Sequence, residues 1–324
     1  MNKKPILYDI KIITGITIIL VVIGHLASRG QEDIDFYIKI KSIIYKFHMP
    51  LFLFLSGYIA YYTYPQIKSI NDYSSYVKKK IIRLFPAYLI MSLIFFAGKY
   101  ALGKNTELTE GILNILFYPA NSNGSFLWYI YVLFLFNLSM PIIDYLVKNK
   151  FIIFFTISVL ISSFIKFPEL LSLNFYFWYL PFFILGCYLS TKRETYMPIL
   201  KKFGLIIFSI FIIWMVLEFL GIINVHKNIV SFLAIIGIAY VSSIKIVRNT
   251  FFEKMGDNSF YIYLFNTMFT GLISVFLIKY FGKQFFYEKF YFLSPFLVFI
   301  GLYLPILLQK YIISKVPFLK NWIR

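Results

Sequence analysis

The sequence predicts an all-α membrane protein, a bundle of about ten transmembrane helices with both termini on the cytoplasmic side. Three observations carry that expectation. Hydrophobic residues make up 60% of the 324-residue chain and charged ones only 14%, an apolar excess that a soluble domain has no use for. The apolar residues fall in long runs, each near the ~20 residues needed to cross ~30 Å of hydrocarbon, with short polar breaks between them. The runs are near-continuous, whereas a barrel strand alternates inward and outward residues over about ten positions. Helices are therefore the form in which these runs satisfy their own backbone in lipid.

Ten spans follow in order, at roughly 10–28, 43–64, 84–102, 126–147, 151–167, 173–190, 203–223, 229–247, 258–281 and 290–313. The first ends in Leu20-Val-Val-Ile-Gly-His25, and the second opens on Phe47-His48-Met49-Pro50. The third follows the basic cluster Lys78, Lys79, Lys80 and Arg83. A turn at Ala120-Asn-Ser-Asn-Gly-Ser125 precedes the fourth. That span enters through Phe126-Leu-Trp128-Tyr129, aromatics of the kind that line a membrane interface. The fifth and sixth are short, with only Pro168 to Ser172 between them. The seventh carries the carboxylate Glu218 shortly before Gly221, with no partner identifiable in the sequence. The ninth contains Tyr261-Ile-Tyr263-Leu-Phe265, and the tenth runs into a basic tail with Lys310, Lys315, Lys320 and Arg324. No internal repeat is visible and no loop exceeds roughly two dozen residues. The chain thus reads as a single integral membrane domain, whose activity resides in the bundle.

The formal net charge of +18 raises the question of nucleic acid, but the cations cluster between the apolar runs. Of the 32 lysines and arginines, 21 fall on the side of the termini and 11 on the other. The positive-inside rule makes the terminal side cytoplasmic, accounts for the charge, and leaves no nucleic-acid partner to invoke. A multi-pass protein of the cytoplasmic membrane, in contact with lipid, is expected. Cys187 is the only cysteine, so an internal disulfide and a thiol cluster are both excluded, and no metal is expected.

Two of only three histidines bracket one short loop. His25 lies inside an apolar run, where ionisable residues are usually functional, and imidazole is matched to proton transfer near neutral pH. A buried imidazole that ties two helices by hydrogen bonds is the competing reading. His48 sits near the expected interface, where anchoring competes with chemistry. His226, beside Lys227 in an outer loop, reads as solvated. Ser56-Gly57 reads as a close helix contact, and Trp128 and Tyr129 as interface aromatics or sugar platforms. Asp9 and Asp144 stand where neighbouring lysines are available as partners.

Several pieces in order resemble the acyltransferase-3 family of integral membrane acyltransferases, and within it the fucose-4-O-acetylase-like branch that acetylates sugars of surface polysaccharides. They are Leu20-Val-Val-Ile-Gly-His25; Phe47-His-Met-Pro-Leu-Phe-Leu-Phe-Leu-Ser-Gly57; Lys79-Lys80-Ile-Ile-Arg83-Leu-Phe-Pro86-Ala-Tyr88; Leu127-Trp128-Tyr-Ile-Tyr-Val-Leu133; and Tyr261-Ile-Tyr263-Leu-Phe265. The resemblance implies transfer of an acyl group, usually acetyl from cytoplasmic acetyl-coenzyme A, to a sugar hydroxyl of a polysaccharide or lipid-linked acceptor. It implies His25 as base or transient acyl acceptor, with His48 assisting. Lys80 and Arg83 would hold the polyanionic donor, Arg forking onto phosphate oxygens and Lys acting as a point charge; both residues also fit a plain topology cluster.

The family's basic residue, eleven before the histidine, is Thr14 in this chain. Lys11, one turn earlier, returns to nearly the same face and is the candidate replacement for donor binding, or else simply snorkels. Asn266 stands where the family often has a histidine. The rival functions are a transporter or flippase for lipid-linked sugars and a polysaccharide polymerase. A transporter would scatter polar residues through many spans and often carry an inverted repeat; a polymerase usually has a large outer loop.

Overall fold

The computed structural model of the chain describes residues 7–27, 34–65, 67–101, 107–244, 247 and 250–317. Among these residues there is no strand. The helices are α1 (Tyr8–Gly24), α2 (Asp35–Tyr62), α3 (Ile70–Ala101), α4 (Leu108–Phe117), α5 (Trp128–Leu138), α6 (Met140–Phe164) and α7 (Leu173–Thr191). They continue with α8 (Arg193–Phe219), α9 (Lys227–Ser243), α10 (Thr250–Asp257), α11 (Ser259–Phe281), α12 (Lys283–Glu288) and α13 (Phe290–Leu308). The protein is an all-α helix bundle. Among the described residues, seven helical segments are long and apolar enough to cross a membrane, and α4, α5 and α9 are shorter apolar helices. Every expected span has its helix, but fewer than the expected ten reach membrane length.

The shortfall has local causes. The expected fourth span breaks at Ser139, where Asn137 and Ser139 hydrogen-bond back to the carbonyls of Leu133, Leu135 and Phe136. Pro141, at the start of α6, has no N–H to carry the ladder onward. The polar break expected after 147 is a bend instead: α6 runs on to Phe164, with non-helical backbone at Lys150 (φ −142°, ψ 34°). Helix α3 begins well before the expected 84, so the Lys78–Arg83 cluster is helical. Its start is a capping box. Ser69 Oγ accepts the Asp72 N–H at 3.2 Å while the Asp72 carboxylate accepts the Ser69 N–H at 3.0 Å. The tail cations Lys320 and Arg324 lie outside the described residues.

The chain forms two compact units. The first comprises α1, α2 as far as Leu55, and α8 to α13. Helix α1 lies at its centre, touching α9, α10, α11 and α13. That explains why it is apolar all round rather than along one stripe. Its backbone meets that of α10 directly: a Cβ on Gly15 would fall 2.1 Å from the Phe252 carbonyl oxygen, and one on Gly256 2.1 Å from that of Lys11. The second unit comprises the end of α2 from Ser56 and helices α3 to α7. Gly57 there abuts Phe183 of α7, a Cβ falling 2.0 Å from the carbonyl oxygen, so the Ser-Gly pair does serve close packing.

Both units turn large apolar side chains outward. Ile152, Ile153 and Phe164 of α6 are exposed, as are Leu205, Ile206 and Ile213 of α8. Water would not tolerate so continuous an apolar exterior, whereas hydrocarbon would. The protein is a multi-pass membrane protein.

Candidate active site

His25 immediately follows α1, and its position is set by side chains of α2. The last carbonyls of a helix have no partner within it. Three groups on one stripe of α2 take those at and just past the end of α1. Tyr37 Oη donates to the Ile23 carbonyl at 2.9 Å and accepts the Ala27 N–H at 3.2 Å. Tyr45 Oη donates to the Gly24 carbonyl at 2.8 Å, and the Lys41 ammonium donates to the Ala27 carbonyl. Steps of four residues place Tyr37, Lys41 and Tyr45 on one helix face, and His48 comes next along it. Gly24 is required beneath the ring: a Cβ there would lie 2.7 Å from a ring carbon of Tyr45.

Tyr45 stands between the two histidines. Its ring centroid is 5.9 Å from that of His25 and 4.9 Å from that of His48. Tyr45 Oη is also 3.2 Å from His25 Nδ1. The one hydroxyl proton goes to Gly24, so the network assigns the imidazole nitrogen as donor in that contact and puts the lone pair on Nε2. His48 Nδ1 lies 2.8 Å from the Ile44 carbonyl oxygen, which only accepts, so His48 carries its lone pair on Nε2 as well. His48 and Lys41 are buried, and the Lys41 ammonium is 5.3 Å from the Tyr45 ring centre. Two imidazoles with basic Nε2 atoms, a phenol and a cation are the parts of a proton-transfer or acyl-transfer site.

The same helix is braced next to His48. Pro50 lacks the N–H that would bond the Lys46 carbonyl, and that oxygen lies 2.9 Å from Ser231 Oγ of α9. The Lys46 ammonium pairs with Glu218 at 2.6 Å and donates to Asn224 Oδ1 at 2.8 Å. Glu218 thus has a partner 172 positions away. His226 is exposed, as expected, and its ring also caps α9, Nδ1 accepting the Asn228 N–H at 3.4 Å.

Lys11 is held away from His25. Fourteen residues at ~1.5 Å each put it about 21 Å further down the helix axis, and it pairs with Asp257 at 2.7 Å. Thr14 is buried, its hydroxyl bonded to the Ile10 carbonyl. Asp9 pairs with Arg193 through two 2.8 Å bonds rather than with a lysine. Asn266 is 1% exposed. Its Nδ2 donates to the Ile262 and Tyr263 carbonyls, while its Oδ1 has no hydrogen-bond partner among the described residues. Gly301 of α13 abuts Val22, Thr270 and Asn266 together, which places Asn266 at a level three residues before His25.

Lys80 and Arg83 belong to the second unit, one turn apart on α3. The Lys80 ammonium lies 5.2 Å over the Tyr76 ring, and Arg83 is exposed. Tyr129 Oη is 2.7 Å from Ser56 Oγ. Trp128 stacks on Phe175 and Tyr179, with centroids 4.3 and 5.2 Å away. Asp144 pairs with Lys148 at 2.9 Å, as a neighbouring lysine allowed. Of the candidate residues, the structure brings together His25 with His48, and Lys80 with Arg83. Tyr37, Lys41 and Tyr45 stand in no motif of the sequence. Stepping back from His48 by three and then by fours would have found them.

A family model described as an acyltransferase domain matches residues 7–315, a stretch that takes in every helix of both units. No curated protein and no solved structure gives a match.

Proposed function

The chain belongs to this family of membrane acyltransferases. From that premise we propose that it moves an acetyl group from cytoplasmic acetyl-coenzyme A to a sugar hydroxyl of a cell-surface or exported polysaccharide, or of its lipid-linked unit. The motifs around His25, His48 and Trp128 favour the fucose-4-O-acetylase-like branch. The observation that carries the reading is the histidine pair on either side of Tyr45, with each Nδ1 committed to a hydrogen bond.

In the direct route, His25 Nε2 takes the proton of the acceptor hydroxyl as the oxygen attacks the thioester carbonyl. The C–S bond then breaks, the coenzyme thiolate leaves, and the histidinium proton passes to it. In the alternative route the same lone pair attacks the thioester, the C–S bond breaks and the coenzyme leaves as thiolate. The sugar oxygen then attacks the acyl-imidazole, the C–N bond breaks, and the hydroxyl proton passes by way of the freed imidazole to the thiolate. Both routes place negative charge on the carbonyl oxygen. Lys41 would answer that charge from a buried site, where a fixed cation is worth most. His48 would assist through its own Nε2. Lys80 and Arg83 would hold the donor phosphates, and Lys11 would join them only by leaving Asp257.

Proton NMR of the host's surface polysaccharide tests the reading, with base treatment to strip O-acetyl esters as control. The strains are wild type, a deletion, and the deletion complemented with wild type or His25→Ala. The expected result is loss of acetyl methyl signals in the deletion and in the His25→Ala strain, with polymer amount and length unchanged. Unchanged acetylation with lost or shortened polymer would sink the proposal in favour of a flippase or polymerase.

A further inference from the structure

We propose that the cavity at the bend of α6, in the second unit, binds the phosphate-bearing nucleotide end of the acyl donor. The inference rests on the reading of the donor as a coenzyme A thioester and names residues for it that no motif pointed to. The cavity measures about 870 Å³, within the ~300–1,000 Å³ usual for small-molecule sites. Lys148, Lys150 and Lys192 line it together with Tyr61, Phe151 and Tyr188.

The charges there are unevenly spent. Lys148 is paired with Asp144, whose other carboxylate oxygen accepts from Tyr61 Oη at 2.7 Å. Lys150 and Lys192 have no carboxylate partner among the described residues. Two cations therefore remain for an anion. The bend adds to them, because the second half of α6 starts at Phe151 and directs the positive end of its dipole at residues that line the same space. Lysines that only fix topology need no cavity and no aromatic wall, yet these have both. Phe151 and Tyr188 stack face to face at 3.6 Å with their planes 6° apart, and a base would extend that stack on an outer face of the pair. Cations beside such a surface fit a nucleotide better than a bare phosphate ion.

A line of rings joins the cavity to the donor patch read from the sequence. Lys80 lies over Tyr76; Tyr76 meets the Tyr64 ring edge-on at 5.4 Å; Tyr64 stacks on Tyr61 at 6.3 Å; and Tyr61 lines the cavity. On the expected topology Lys80, Lys150 and Lys192 are all cytoplasmic, the side on which the donor is made.

The test is calorimetric titration of coenzyme A into the purified full chain in nanodiscs, zwitterionic or containing phosphatidylglycerol. Wild type is compared with the double variant Lys150→Gln/Lys192→Gln and its arginine counterpart. The expected result is an affinity for coenzyme A about tenfold weaker in the glutamine variant, retained in the arginine variant, and steeper in salt for wild type. Adenosine 3′,5′-bisphosphate should compete for the wild-type site. Equal coenzyme A affinity in wild type and the glutamine variant overturns the cavity assignment and leaves the donor reading standing. No coenzyme A binding by wild type overturns the donor reading, and the inference with it. Loss of bound phosphatidylglycerol in the glutamine variant, with coenzyme A affinity untouched, assigns the cavity to lipid headgroups and overturns the inference.

Discussion

Replacing Tyr45 by Phe removes one oxygen and keeps the ring between the histidines. That oxygen makes two contacts, 2.8 Å to the Gly24 carbonyl and 3.2 Å to His25 Nδ1. As His25 takes up a proton, the second contact becomes charge-assisted. Such bonds contribute about 1.5–3 kcal/mol, against about 0.5–1.5 kcal/mol for neutral ones. Only the difference belongs to the transition state. That difference is about 1–1.5 kcal/mol, or roughly a tenfold loss in kcat. His25→Ala, which removes the base itself, should cost about a hundredfold or more. Stability should also fall, by about 0.5–1.5 kcal/mol for the lost hydrogen bond to the Gly24 carbonyl. The assay is the initial rate of coenzyme A thiol release by purified protein in nanodiscs, with de-O-acetylated host polysaccharide as acceptor, alongside a thermal melt. A wild-type kcat in Tyr45→Phe would refute the positioning role. A loss as deep as that of His25→Ala would mean that the hydroxyl acts in the chemistry itself.

Gly57→Ala should destabilise by about 1–3 kcal/mol or more, because the new methyl meets the backbone of Phe183; Gly98→Ala, with nothing within 4 Å, should raise Tm slightly in the same melts. Asp9→Asn weakens two charge-assisted hydrogen bonds to Arg193 and should cost about 1.5–3 kcal/mol; in a double-mutant cycle with Arg193→Gln, additive losses would show that the pair contributes nothing. Asn266→Leu should hold or raise Tm, since it removes a buried, unbonded Oδ1. If that oxygen receives the acceptor sugar, transfer falls about tenfold with it, and an unchanged rate would remove Asn266 from the site.

The helical class and the membrane character were legible because both rest on composition and run length, which fold geometry cannot alter. The histidine pair was legible because imidazole is rare in apolar runs. Tyr45 and Lys41 were not, and the cause is specific. With the second span begun at 43, Lys41 fell in a loop and looked like one more topology cation, while Tyr45 was one of 27 tyrosines. Only the true start of α2 at Asp35 makes the stripe from Tyr37 to His48 continuous. The Ser69–Asp72 capping box was readable in principle, and it would have moved the basic cluster into α3. The Lys46–Glu218 pair was not, since nothing local links positions so far apart.

The clamp of Tyr37, Lys41 and Tyr45 on the end of α1 bears on how the protein tolerates different bilayers. A helix whose apolar length does not match the hydrocarbon thickness answers by tilting, sliding or thinning the lipid around it. If α1 moved by itself, the depth of His25 would follow the thickness of the host membrane. Held at three points by α2, it moves only with the helix that carries His48, so the spacing of the two imidazoles is insulated from lipid composition. Growth temperature and acyl-chain length, which change membrane thickness, would then act on how the site is reached rather than on how it is built.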